Sequence, residues 1–257
     1  MTTPPPSAQL AASLPATARR RPMGRAALRE ALALWALAFG AIIAVRAIGP
    51  IAGYAKAVAA VAFLYLPGAV VWRRGEDYRD YGAQLTRWKR DCLFGLGVSA
   101  VVLPLFALGF FGFVDLLAHL PGALSHVITP YLPQVDLSLR FPHRFWEHVL
   151  DQFLVVALPE EFFYRGYLQA RLRDVWPGGR RLFGARLGPA FWLTAALFAV
   201  GHLAIFQVWR LSVFFPALIF GWLREKTDSI LPGLIFHALS NLTLFVLEAS
   251  FFGAHLG

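Results

Sequence analysis

Seven apolar segments follow one another along this chain, at about 27–47, 51–71, 92–116, 149–172, 187–206, 211–223 and 230–252. Most approach the roughly 20 residues that cross the hydrocarbon of a bilayer as a helix; the sixth is short and needs tilt or its flanks. A chain patterned this way is expected to be an all-α polytopic membrane protein, a bundle of about seven transmembrane helices. The composition agrees, with 58% hydrophobic and 15% charged residues where a soluble domain carries about 25% charged.

Arginine placement orders the segments. Arg19, Arg20, Arg21, Arg25 and Arg29 lie in or next to the tail, and Arg73, Arg74, Arg79, Arg87, Lys89 and Arg90 follow the second segment. Arg173, Arg180, Arg181 and Arg186 follow the fourth, and Arg224 and Lys226 the sixth. Every alternate loop is basic, so the N-terminus is expected in the cytoplasm. The formal charge of +9 is accounted for by these loops, and no nucleic-acid partner is expected. Cys92 is the only cysteine, which excludes an intrachain disulfide and a thiolate metal cluster.

Residues 1–24, rich in Pro, Ala and Ser, read as a disordered basic tail before a transmembrane helical domain over 25–257. The run after the tail reads as a retained first span rather than a signal peptide. Between the third and fourth segments, 118–148 combines four prolines with His119, His126, His143 and His148. An interfacial piece lying over the bundle is expected there. The four histidines have no compact metal-ligand spacing.

The fourth segment carries Pro159-Glu160-Glu161-Phe162-Phe163-Tyr164-Arg165. Charges inside a span cost roughly 2.5–3.5 kcal/mol each and mark a candidate functional site. Glu161 and Arg165 are four apart, with the acid N-terminal, and are expected to pair on one helical face. Glu160 is turned about 100° away, so one carboxylate is expected to be tied down and the other free to react. Pro159 is expected to kink the helix just before them.

Two further polar pairs lie in later segments, Phe198 with His202 and His237 with Asn241, each at helical spacing. A carboxylate and a histidine can activate water, and a second histidine and an amide can support a developing oxyanion. Glu160, His202, His237 and Asn241 therefore fit a hydrolase without a Ser or Cys nucleophile. The same Glu160, His202 and His237 fit a zinc ion with an open fourth position, although no His-Glu-x-x-His helix occurs. Each group also has a structural explanation: a helix-fixing ion pair, a hydrogen-bonded core histidine, or interhelical bonding by His237 and Asn241.

At these residues the chain resembles the CAAX protease and bacteriocin-processing family of intramembrane endopeptidases. The shared pattern is Glu160-Glu161-x-x-x-Arg165, then Phe198-x-x-x-His202, then His237-x-x-x-Asn241, in that order. The resemblance covers a core of about 149–252. It implies a helical bundle with a conical cavity, in which Glu160 activates water with His202 while His237 and Asn241 support the oxyanion. Glu161, Arg165 and Phe198 are then accessory, and no cofactor is expected, with zinc as the alternative. The implied partners are the lipid bilayer and a membrane-anchored protein or peptide substrate, in a bacterial inner membrane. The Arg- and Ala-rich composition is bacterial in character, which disfavours a prenylated substrate, and a sorting role like that of myxosortase-like members is one subtype the resemblance allows. The competing readings are a non-catalytic binding or immunity protein on the same bundle and a proton-coupled transporter. Against the transporter, no inverted repeat is visible.

Overall fold

The computed structural model describes residues 23–122, 138–141, 143–205 and 208–252. Nearly all of the tail, and 123–137 of the expected interfacial piece with His126, lie outside the described residues.

Among the described residues the architecture is all-α. Helix α1, Arg25–Ala47, buries Ala27, Ala31, Ala38, Phe39 and Ile42, a small-residue stripe at helical spacing. A short 3-10 turn, Gly49–Tyr54, leads into α2, Ala55–Arg74, which ends at Gly75 in the left-handed conformation. Helix α3, Trp88–His119, lies close against α7, Leu231–Phe252. A Cβ on Gly95 of α3 would fall 2.8 Å from the Pro232 carbonyl of α7, so only glycine permits this approach.

Helix α4 runs over 145–175 and is the central element; every residue from Glu161 to Leu172 is buried. It is not a regular α-helix. Two π-helical segments, Asp151–Ala157 and Phe162–Leu168, flank the α-helical turn Leu158–Glu161. The irregularity expected at Pro159 therefore takes the form of widened turns on both sides of the glutamates, a form often found at functional sites. Helix α5, Pro189–Gly201, continues as a 3-10 turn, His202–Ile205, and α6 spans Phe214–Thr227.

The structure departs from the sequence reading at the start of α5. A two-stranded antiparallel hairpin, β1 (Arg180–Leu182) and β2 (Ala185–Leu187), occupies residues that include the expected start of the fifth segment. Phe183 and Gly184 both have positive φ, as a tight two-residue hairpin turn requires. Pro189 then opens the helix, where its missing N–H costs nothing.

Among the described residues four stretches are long and apolar enough to cross a membrane: Arg25–Ala47, Gly49–Arg74, Trp88–His119 and Leu231–Phe252. Among the described residues seven helices, α1–α7, overlap the seven expected segments, and α4, α5 and α6 are shorter or interrupted by charge. Within α4 the stretch Glu161–Leu172 is shielded by its neighbours and needs no lipid-compatible surface, whereas Leu154 of α4, Val200 of α5 and Phe215 of α6 are exposed.

The basic loops gather at one end of the bundle. Glu30 of α1 receives Arg74 of α2, and also Tyr167 Oη at 2.5 Å and Arg171 Nε at 3.1 Å from α4. Glu225 of α6 accepts Gln169 Nε2 at 2.7 Å, and Arg87 Nη2 donates to the Thr227 carbonyl at 3.0 Å. Consecutive helices therefore alternate in direction relative to this basic end. The aromatic core of Phe63, Phe163, Tyr164, Phe198 and Phe220 lies beyond it, around the middle of α4.

Candidate active site

Glu161 and Arg165 meet as their spacing predicts. Arg165 Nη1 donates to Glu161 Oε1 at 3.0 Å, with the two side chains 1% and 0% exposed. The guanidinium lies over Phe198 at 4.3 Å and Phe220 at 4.7 Å from the ring centres, and Nη2 reaches the Ala217 carbonyl at 3.4 Å. Aromatic faces suit the weakly hydrated, planar guanidinium better than they would an ammonium.

His237 of α7 joins this pair. Its Nδ1 lies 2.9 Å from Glu161 Oε1, and its ring stacks on Phe220 at 4.5 Å and 15°. A carboxylate already paired with arginine accepts, so Nδ1 carries the hydrogen and Nε2 is the nitrogen turned toward Glu160. The Nε2–Glu160 Oε2 distance is 3.7 Å. The two adjacent carboxylates thus address the two nitrogens of one imidazole, 76 or more residues away in sequence, an arrangement that local spacing cannot reveal. Glu160 is 18% exposed, and its Oε2 has no hydrogen-bond partner among the described residues.

His202 sits where α5 tightens into its 3-10 turn. Its Nδ1 lies 2.9 Å from the Phe198 carbonyl, to which it donates, and its ring packs on Phe198 at 4.6 Å. Nε2 is left available on the other side. Phe198, singled out only by its spacing from His202, touches Arg165, His202 and, at 6.0 Å, His237. Asn241 is placed differently from the other three: its Nδ2 donates to Gln152 Oε1 at 2.8 Å. Gln152 was not among the residues expected from sequence, because a lone glutamine at a span edge carries no motif.

Space for Glu161 comes from a glycine. A Cβ on Gly233 of α7 would fall 2.9 Å from Glu161 Oε2, and Glu161 cannot retreat while Arg165 and His237 hold its other oxygen. Gly233→Ala is expected to lower stability by about 1–3 kcal/mol, the usual cost of overpacking. Gly97→Ala on α3, where nothing lies within 4 Å, is the control and should be neutral or stabilising. Thermal unfolding of the detergent-solubilised proteins compares them.

Among the described residues no trio of His, Cys, Asp and Glu side chains is arranged to hold a metal ion.

Two adjacent carboxylates, one fully buried and ion-paired and the other partly exposed, thus share the His237 imidazole within a bundle of apolar helices. Residues 142–243 match the family model described as type II CAAX prenyl endopeptidase Rce1-like. They form an Rce1-like domain of the CAAX protease and bacteriocin-processing family, whose members are peptide hydrolases. The matched stretch takes in α4, α5, α6 and most of α7, with every residue of the three motifs. The protein is, at this level, an integral membrane endopeptidase. No curated protein and no solved structure matches the chain significantly.

Proposed function

We propose that Glu160 is the general base of a peptide hydrolysis carried out within the bundle. The observation that carries this is the contrast between neighbours: Glu161 is 0% exposed and its Oε1 is held by both Arg165 and His237, whereas Glu160 is 18% exposed and faces His237 Nε2 at 3.7 Å without a hydrogen bond to its Oε2 among the described residues. Glu160, assisted by His202, takes a proton from water as the oxygen attacks the scissile carbonyl carbon. The resulting oxyanion is met by the Asn241 amide and by His237, which offers Nε2–H once that nitrogen also carries a proton. On collapse the C–N bond breaks, and Glu160 returns the proton to the leaving amine. Glu161 and Arg165 do not touch the reacting atoms; they hold the His237 ring so that Nε2 faces Glu160.

The substrate in this reading is a membrane-anchored protein or peptide, cut near its membrane-embedded end, as in the sorting of exported proteins. The basic end of the bundle faces the cytoplasm of a bacterial inner membrane, as the arginine-rich loops favour. The test compares the membrane proteomes of wild-type cells and cells carrying Glu160→Gln, mapping protein termini. Hydrophobic terminal segments retained only in the variant are the expected result, and they name the substrate class. Identical termini, with the variant at normal abundance, would instead make this a non-catalytic binding protein. Processing by the solubilised enzyme is expected to survive a strong zinc chelator. Loss of processing that added zinc restores would overturn the glutamate mechanism.

A further inference from the structure

We infer that Gln152 is a positioning residue that sets which way the Asn241 amide faces, an inference that rests on the oxyanion role proposed above for Asn241. Gln152 is 4% exposed and lies in the first π-helical segment of α4, about two turns before Glu160. It is one link in a chain of side chains that joins α2, α4 and α7. Lys56 Nζ donates to Asp151 Oδ1 at 2.8 Å, Gln152 Nε2 donates to Asp151 Oδ2 at 3.2 Å, and Asn241 Nδ2 donates to Gln152 Oε1 at 2.8 Å.

The direction of this chain follows from what each group can do. An ammonium only donates and an ionised carboxylate only accepts. Asp151 therefore turns the amide nitrogen of Gln152 toward itself and leaves Gln152 Oε1 facing α7. With an acceptor in front of it, Asn241 must present its nitrogen; the flipped amide would set two carbonyl oxygens against each other and leave that of the buried Gln152 unsatisfied. One hydrogen of Nδ2 is used on Gln152, so the second hydrogen and Oδ1 are fixed in direction. A preorganised donor is worth most when it needs no reorientation as charge develops. Lys56 is 61% exposed, and an exposed ion pair contributes little, so the effect is expected to reside in Gln152 rather than in Lys56.

Asn241 is the only asparagine in the sequence, which makes the orientation directly observable. Full-length protein labelled with 15N only at asparagine, in detergent micelles, has a single side-chain amide. In the wild type its two protons are expected to be well separated in shift, with the hydrogen-bonded one slow to exchange. Gln152→Glu keeps the acceptor and should retain this signature, whereas Gln152→Leu should collapse it toward that of a free amide. Retained termini in the proteome comparison give the second readout. Gln152→Leu should slow processing roughly tenfold or more, short of or up to the 10²–10³-fold that losing an oxyanion donor costs, and Gln152→Glu should process far better than Gln152→Leu.

An unchanged amide signal in Gln152→Leu would overturn the inference. So would a collapsed signal with normal processing, provided Asn241→Ala blocks processing. If Asn241→Ala itself processes normally, the oxyanion role of Asn241 fails and the catalytic purpose of Gln152 falls with it. A Gln152-dependent amide signal would then remain as a structural contact only.

Discussion

Replacing Arg165 with leucine is expected to destabilise the bundle by about 3–5 kcal/mol, the range for removing one partner of a buried ion pair. The removed guanidinium fills the space between Phe198 and Phe220 and donates to Glu161 Oε1, the oxygen that His237 also holds. Leucine restores some apolar contact but leaves Glu161 as a carboxylate at 0% exposure. Arg165→Lys is expected to recover only part of the loss, because an ammonium cannot reach Glu161 and the Ala217 carbonyl together while lying flat on two rings. Combining Arg165→Leu with Glu161→Gln removes the stranded charge, so the double variant should be more stable than Arg165→Leu alone. Thermal unfolding of the four proteins in one detergent decides it. A double variant no more stable than the single one would mean that ring packing, and not charge pairing, is what Arg165 contributes.

That pairing was legible in the sequence because it is local. Glu161 and Arg165 lie one helical turn apart, and an apolar segment offers them no other partner. The helices were legible for the same reason, since apolar run length and arginine spacing are local quantities. The sequence does not show what α4 meets across the bundle. His237 bonds Glu161 over a separation of 76 residues, and Asn241 bonds Gln152 over 89. Neither histidine nor amide announces its partner. His237 and Asn241 share one helix, which brings the first to the glutamates and the second to a glutamine about two turns earlier on α4.

Glu30 was hidden for a different reason. It sits in an alanine-rich first helix and reads as an ordinary helix-end acid, yet it gathers Arg74, Tyr167 and Arg171. The hairpin over 180–187 was missed because apolar Leu182, Phe183, Ala185 and Leu187 run into the fifth segment without a break in hydropathy. Only the Phe183-Gly184 turn and Pro189 punctuate it. Depth also misleads when counted along each helix. Glu160 lies 15 residues before the end of α4, whereas His237 lies six residues after the start of α7. They come level because α4 extends past α7 at the basic end, where Arg171 and Arg173 make their ion pairs.

Glu160→Gln is expected to slow processing by about 10²–10⁴-fold, the usual contribution of general acid–base catalysis, while leaving the fold intact or more stable. The two effects have one cause. Glu160 Oε2 is buried with no hydrogen-bond partner among the described residues, beside a second carboxylate already held by Arg165. An ionised group kept in that state is a liability for folding, and it persists where activity needs it. A neutral amide of the same shape relieves the like-charge contact and can still face His237 Nε2, but it cannot take a proton from water. Glu161→Gln is expected to behave in the opposite way, because it weakens the bond to Arg165 and loosens the His237 ring, so stability and rate fall together. Melting temperature and processing rate measured on both variants separate the roles of two residues that differ by one position. If Glu160→Gln melts lower than the wild type and Glu161→Gln is the more stable and less active protein, then the base is Glu161 and its pairing with Arg165 must open during turnover.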